Sequence, residues 1–202
     1  GFGFKVASVP FHMWAPDVYE GAPTPVTAFF AAAPKVAAMA LLTRVMVTPF
    51  AHNVGEWQQI IVFVAIASMV LGAFAAIGQS NIKRLLAYSS IAHAGYILMA
   101  FVPYGQASVV STSIASGLFY LVAYGFTTIG AFAVVTLVRD SGGEATHLSK
   151  WAGLGKRSPL TAGVFALFLL AFAGIPLTSG FTSKFVVFEA AVLGGAAPLV
   201  VV

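Results

Sequence analysis

The stretch FKVASVPFHMWAPDVYEGAPTPVTAFFAAAPK, residues 4–35, sets two lysines, Lys5 and Lys35, in apolar sequence on either side of a proline-broken turn. In a bilayer an ionisable side chain costs roughly 2.5–3.5 kcal/mol on insertion scales and is kept mainly where it lines an ion or proton path. The surroundings are those of a membrane chain. Of 202 residues, 59% are hydrophobic and 8% charged, with a mean hydropathy of +0.95, against about 25% charged in an average soluble domain. At about 20 residues per crossing, the length allows six or seven spans in one bundle and leaves no room for a separate soluble domain.

Outward from this stretch, Pro10 and Pro16 each remove a backbone donor, which predicts a broken helix over about 1–20. An interfacial loop with Trp14 as its aromatic anchor fits residues 11–19 equally well. GAPTP, residues 21–25, is a turn, with Thr24 as N-cap and Pro25 at the first helical position. A helix follows over 26–50. At 1.5 Å per residue Lys35 then lies about 14 Å from its start, too deep to reach the interface, and Pro34 before it kinks the helix. Further helices are expected at 58–78, uncharged and rich in small residues, at 82–102, and at 107–138, in which no residue stands out. GIPLTSGFTSK, residues 174–184, repeats the opening device in a broken helix over 160–193: two glycines and Pro176 interrupt it, and Lys184 follows in apolar surroundings. Paired broken segments point to inverted-repeat transporters, in which the break lines the ion path. A last helix is expected to begin at 196–202. Glu189, five residues past Lys184, lies off its face and takes no assigned role. The chain starts without Met and ends in an apolar run, and reads as a fragment cut inside a membrane region.

The net charge of +4 is a topology signal and not a nucleic-acid signal. The loops at 79–84 and 139–159 hold Lys83, Arg84, Arg139, Lys150, Lys156 and Arg157, while 51–56 and 103–107 hold no Lys or Arg. The positive-inside rule makes the first side cytoplasmic, or the matrix or stroma in an organelle. Lys83 and Arg84 read as anchors at a helix end, with a part in a conduction path as the alternative. With no cysteine, the chain has neither disulfides nor thiolate ligands for a metal or iron–sulfur cluster.

Lys5, Lys35, His93 and Lys184 thus form an intramembrane set from four helices. Desolvation disfavours a charged ammonium, so lysines in such a setting can exchange protons with water near neutrality. An imidazole ordinarily titrates at about pH 6.5, which suits His93 to relay protons; a neutral histidine hydrogen-bonded across helices is the alternative. No carboxylate is visible beside Lys5.

The stretch quoted above, together with NIKRLLAYSSIAHAGY at 81–96 and GIPLTSGFTSKF at 174–185, resembles the proton-translocating membrane subunits of respiratory complex I. The resemblance runs over essentially the whole chain. PDVYEGAPTPV followed by Lys35 is more similar to the N type of NADH-quinone oxidoreductase than to the L and M types or to antiporter and hydrogenase relatives. It implies an all-α, polytopic antiporter-like fold of inverted repeats, present in part and covering roughly the seventh helix to the start of the thirteenth. Lys5 and Lys184 would be the broken-helix lysines of the first and second repeats, Lys35 the connecting lysine, and His93 a member of the central polar axis. A glutamate on an earlier helix would face Lys5. The resemblance further implies partners among the other membrane subunits and the lipid bilayer, most simply of a bacterial inner membrane. No cofactor would sit in this chain: NADH, FMN, iron–sulfur clusters and quinone would be used by other subunits. A secondary cation/proton antiporter built on the same helices is the alternative.

Overall fold

Prolines and glycines punctuate the chain, and the helices fall between them. A computed structural model describes residues 1–201; Val202, the end of the segment expected to open a last helix, lies outside the described residues. The first broken segment consists of α1 (Phe2–Val6) and α2 (Trp14–Gly21). Ala7 closes α1 in the left-handed region, φ 57°, its N–H bonding back to Gly3 and Phe4. In the interruption the Val9 N–H donates to the Ser68 hydroxyl at 2.9 Å, and the Trp14 indole donates to the Phe4 carbonyl at 3.0 Å. Backbone left open at membrane depth must find such partners in protein.

Four longer helices follow: α3 (Thr24–Val47), α4 (Val54–Ile77), α5 (Ile82–Leu98) and α6 (Val110–Leu137). With their short 3₁₀ extensions all four are long and apolar enough to cross a membrane, as befits a multi-pass membrane protein. Asn81 caps α5 through its side-chain oxygen, which accepts from the Lys83 N–H at 2.9 Å. Beyond Leu98 the α-helix tightens into a 3₁₀ stretch, Met99–Gly105, that contains Pro103. Proline lacks the N–H that an α-helical continuation would use, so the regular helix stops short of the expected 102.

The segment 139–159 carries more structure than its composition suggested. Strands β1 (Arg139–Asp140) and β2 (Gly143–Glu144) pair antiparallel, a 3₁₀ turn spans Leu148–Trp151, and α7 spans Leu154–Arg157. The Asp140 carboxylate accepts the Gly142 N–H at 2.8 Å, and Gly143 adopts φ 118°, a conformation in which a side chain would be strained. The second broken segment is α8 (Pro159–Ala173) and α9 (Ser179–Leu193), followed by α10 (Ala197–Val201). Gly174 at φ 78° and Leu177 at φ 74° turn the chain between α8 and α9.

Helix α5 lies along α4, and α3 along α6. Glycines permit the first contact: a Cβ on Gly72 would sit 2.6 Å from the Ala92 nitrogen, and one on Gly95 2.7 Å from the Ala65 carbonyl oxygen. Membrane helices without a hydrophobic drive to associate use small residues in this way. Phe63, Phe74, Ile77, Phe126 and Leu137 face outward, the reverse of a water-soluble surface, whereas the polar groups described next lie between α3, α5, α6 and the second broken segment.

Candidate functional site

Lys35 is among the most enclosed side chains of the molecule, with 2% of its surface exposed. It reaches from the fourth turn of α3 across to α5. Its ammonium donates to the Ser90 carbonyl at 2.8 Å and also to the Ser90 hydroxyl oxygen. Tyr124 of α6 donates its hydroxyl to the same Ser90 oxygen at 2.7 Å, and its ring centroid lies 5.6 Å from the Lys35 Nζ. One serine thus joins lysine to tyrosine. Among the described residues no carboxylate pairs with Lys35; hydroxyl, carbonyl and aromatic face surround it instead.

His93, one turn further along α5, is 5% exposed. Its Nδ1 lies 2.7 Å from the Tyr120 hydroxyl. Its ring packs 5.2 Å from that of Tyr124, 5.8 Å from that of Tyr96 and 5.3 Å from that of Phe172. A cavity of about 10 Å³ is lined by His93, Tyr120, Tyr124, Thr127, Phe172 and Ser183. That is room for about one water molecule.

Lys184 of α9 is half-buried. The break between α8 and α9 leaves carbonyls without helical partners, and the ammonium takes two from the end of α8: Phe172 at 2.7 Å and Ala173 at 3.3 Å. It stands 4.7 Å over the Tyr96 ring. Phe172 therefore touches both groups, its carbonyl on Lys184 and its ring on His93. On its outer side Lys184 borders a cavity of about 540 Å³ together with Tyr96, Gly174 and Phe181.

Of the four residues singled out in the sequence, Lys35, His93 and Lys184 come together around Tyr124, Tyr120, Tyr96 and Phe172. Lys5 stands apart. It is exposed and borders a separate cavity of about 430 Å³ with Pro34, Ala37 and Leu41. Glu189 is likewise exposed. The expectation that the α6 segment singles out no residue is corrected, because Tyr120 and Tyr124 supply its bridging hydroxyls. Their spacing of four, which puts them on one helix face, was the available signal.

Lys83 is not a helix-edge anchor, for it too is 2% exposed. It donates to the Ala22 carbonyl at 2.5 Å and pairs with Glu144 at 3.4 Å. The same carboxylate accepts the Thr24 hydroxyl at 2.6 Å and the Thr24 N–H at 3.1 Å. Partial burial pushes the Glu144 carboxyl up, but the Thr24 bonds and the Lys83 charge outweigh that and hold it below its ordinary value. Arg84 bonds Asp17 at 2.5 Å and Glu20 at 3.0 Å.

Known proteins are similar to this chain in sequence and in fold. The chain is 61% identical over 202 residues to NADH-quinone oxidoreductase subunit N of Rhodococcus opacus, covering all of this chain and 36% of that protein. It therefore spans about a third of the curated relative's length. Among solved structures it is similar to a chain of respiratory complex I from Thermus thermophilus with bound aureothin, with a TM-score of 0.82 and 38% identity over 100% of this chain and 42% of that one. It is also similar to a chain of the Mrp complex from Dietzia sp., with a TM-score of 0.88 and 28% identity over 99% of this chain and 37% of that one. The profile described as NADH:quinone oxidoreductase/Mrp antiporter, TM, matches residues 1–202, so this chain, with its two broken helices and the lysine site between them, belongs to that transmembrane family.

Proposed function

We propose that the chain is the proton-translocating part of a membrane subunit of an NADH:quinone oxidoreductase, in which electron transfer elsewhere in the complex drives protons along Lys35, His93 and Lys184, with Lys5 at one end of the row. The observation that carries this reading is the hydrogen-bonded junction of Lys35, Ser90 and Tyr124, continued by His93 and Tyr120 to the water-sized cavity. Each group can both give and take a proton. Lys35 and Tyr124 both direct donors at the Ser90 oxygen, so an outward transfer requires Ser90 to turn its own proton toward Tyr124, and the return requires the opposite rotation. From the His93 end, one water in the small cavity carries the proton toward the second broken helix.

In this reading residues 1–202 are one transmembrane unit whose partners are the other membrane subunits and the bilayer of a bacterial inner membrane. The basic loops at 79–84 and 139–159 face the cytoplasm. NADH, FMN, iron–sulfur clusters and quinone act in other subunits, and this chain performs no redox step. The experiment is Lys35→Ala and Lys5→Ala in the assembled complex, followed by a ΔpH-sensitive dye alongside NADH-dependent quinone reduction. A positioned acid–base group contributes on the order of 10²–10⁴ in rate, so pumping is expected to fall by at least roughly tenfold, with coupled quinone reduction falling alongside. Full pumping in both variants removes these residues from the path.

A second reading, a subunit of a cation/proton antiporter, is supported by the likeness to the Mrp complex chain. Subunits that co-purify with the full-length protein separate the two: flavin- and cluster-bearing partners support the first, their absence from an active antiporter the second.

A further inference from the structure

The two helices that bring Lys35 to Ser90 scarcely pack on each other. Helix α3 lies along α6 and α5 along α4; α6 touches α5 more lightly, where Tyr120 and Tyr124 reach His93 and Ser90, so packing alone sets only loosely how far α3 stands along α5. That axial register decides whether the Lys35 ammonium falls on Ser90. Lys35 is eleven residues past Thr24, about 16 Å along α3, and Ser90 is seven past Lys83, about 10 Å along α5. A slide of α3 by two residues, about 3 Å, would take the 2.8 Å bond to Ser90 out of hydrogen-bond range.

At the loop end the two helices are joined. Glu144, on the hairpin between α6 and α8, accepts the Thr24 N–H and hydroxyl at the first turn of α3. The same carboxylate pairs with Lys83 in the first turn of α5. Lys83 closes the ring by donating to the Ala22 carbonyl, just ahead of α3. Lys83 is enclosed, and an enclosed ammonium stripped of its carboxylate is strongly unfavourable, so the three parts hold or fail together.

We propose that Glu144 is a positioning residue: its carboxylate clasps the first turns of α3 and α5 and thereby sets the register in which Lys35 meets Ser90. The inference rests on the relay reading above for its functional consequence, but not for its geometry. Glu144→Gln tests the charge with little change of shape. The amide oxygen can still accept from Thr24, while the amide N–H groups face Lys83 where a carboxylate stood. Glu144→Asp keeps the charge on a side chain one methylene shorter, and Lys83→Gln opens the ring from the other side.

The experiment is a structure of the assembled complex carrying each variant, together with dye-detected pumping and the quinone KM. In Glu144→Gln and Lys83→Gln the Lys35 Nζ is expected to leave the Ser90 carbonyl by more than 3.5 Å. Pumping is expected to fall about tenfold, the value of one charge-assisted hydrogen bond, with an unchanged quinone KM and partial recovery in Glu144→Asp. Lys35 still bonded to Ser90 in both variants overturns the clasp, whatever the pumping. A displaced Lys35 with full pumping keeps the clasp and overturns the relay instead.

Discussion

Ser90→Ala is the sharpest perturbation of the lysine site, because one hydroxyl there serves two partners. The substitution leaves Lys35 its bond to the Ser90 carbonyl at 2.8 Å but takes away the oxygen that receives the Tyr124 hydroxyl at 2.7 Å. Tyr124 is 4% exposed, so its donor loses its acceptor on the Lys35 side, at a cost of about 1–3 kcal/mol. The vacated space is that of a single hydroxyl, smaller than the ~30 Å³ share of a water molecule, so water does not take its place. At about 1.4 kcal/mol per factor of ten, proton transfer through the junction should slow by roughly 5- to 150-fold. Ser90→Gly gives the contrast. It vacates the Cβ as well, making room for a water between Lys35 and Tyr124, at a helix cost of about 1 kcal/mol. The assay is dye-detected proton uptake into proteoliposomes holding the assembled complex, normalised to NADH oxidised. The glycine variant should pump better than the alanine variant although it is the poorer helix former. Equal pumping by alanine variant and wild type, or a glycine variant worse than alanine, refutes the junction as a proton route.

Two further predictions concern the frame around the site. A Cβ on Gly180 would collide with the Ala171 carbonyl, closer than any real contact; Gly180→Ala should therefore force α9 off α8 and lower the thermal midpoint of the detergent-solubilised complex by several degrees, overpacking costing about 1–3 kcal/mol, and an unchanged midpoint would contradict the packing described. The second concerns pH. Because Glu144 is held below its ordinary 4.5, the stability it adds is present above that value and lost as pH falls through the lowered one. Lys83 faces it directly, with Arg84, Asp17, Glu20, Asp140 and Lys150 on the same loop end, so the measurement is the difference in acid-range unfolding between wild type and Glu144→Gln. That difference should shrink toward low pH; one that is flat with pH dismisses the ion pair as a source of stability.

What the sequence disclosed about the site, and what it concealed, follows from the range of each interaction. The depth of Lys35 could be read from its distance along one helix, and the interruptions at Pro10 and Gly174 from residue chemistry alone. Partners were another matter. Ser90 stands 55 residues from Lys35, and their meeting depends on two helices converging through α6 and α4, for which no local pattern exists. The spacing of Tyr120 and Tyr124 put them on one helix face but did not say which face, because a tyrosine on an apolar helix looks the same whether its hydroxyl points at lipid or at a serine. Glu144 was concealed most fully: as one acid in a polar loop, it gives no sign that a hairpin carries it to Thr24, 120 residues earlier.

The hold on Lys184 has a consequence of its own. Its two acceptors are peptide carbonyls, Phe172 and Ala173, which carry no net charge. An ammonium offers three N–H groups and a neutral amine two, so two carbonyls can be satisfied by either form. The amine, bonded to both, keeps its lone pair free as the single open valence on the nitrogen. A carboxylate in their place would grip the charged form and release the neutral one, moving the side chain whenever its proton left. The Tyr96 face and the C-terminal carbonyls of α8 hold the charged form more tightly, but the broken helix furnishes a mount that can hold either form, on which the nitrogen can load and unload while staying where it is.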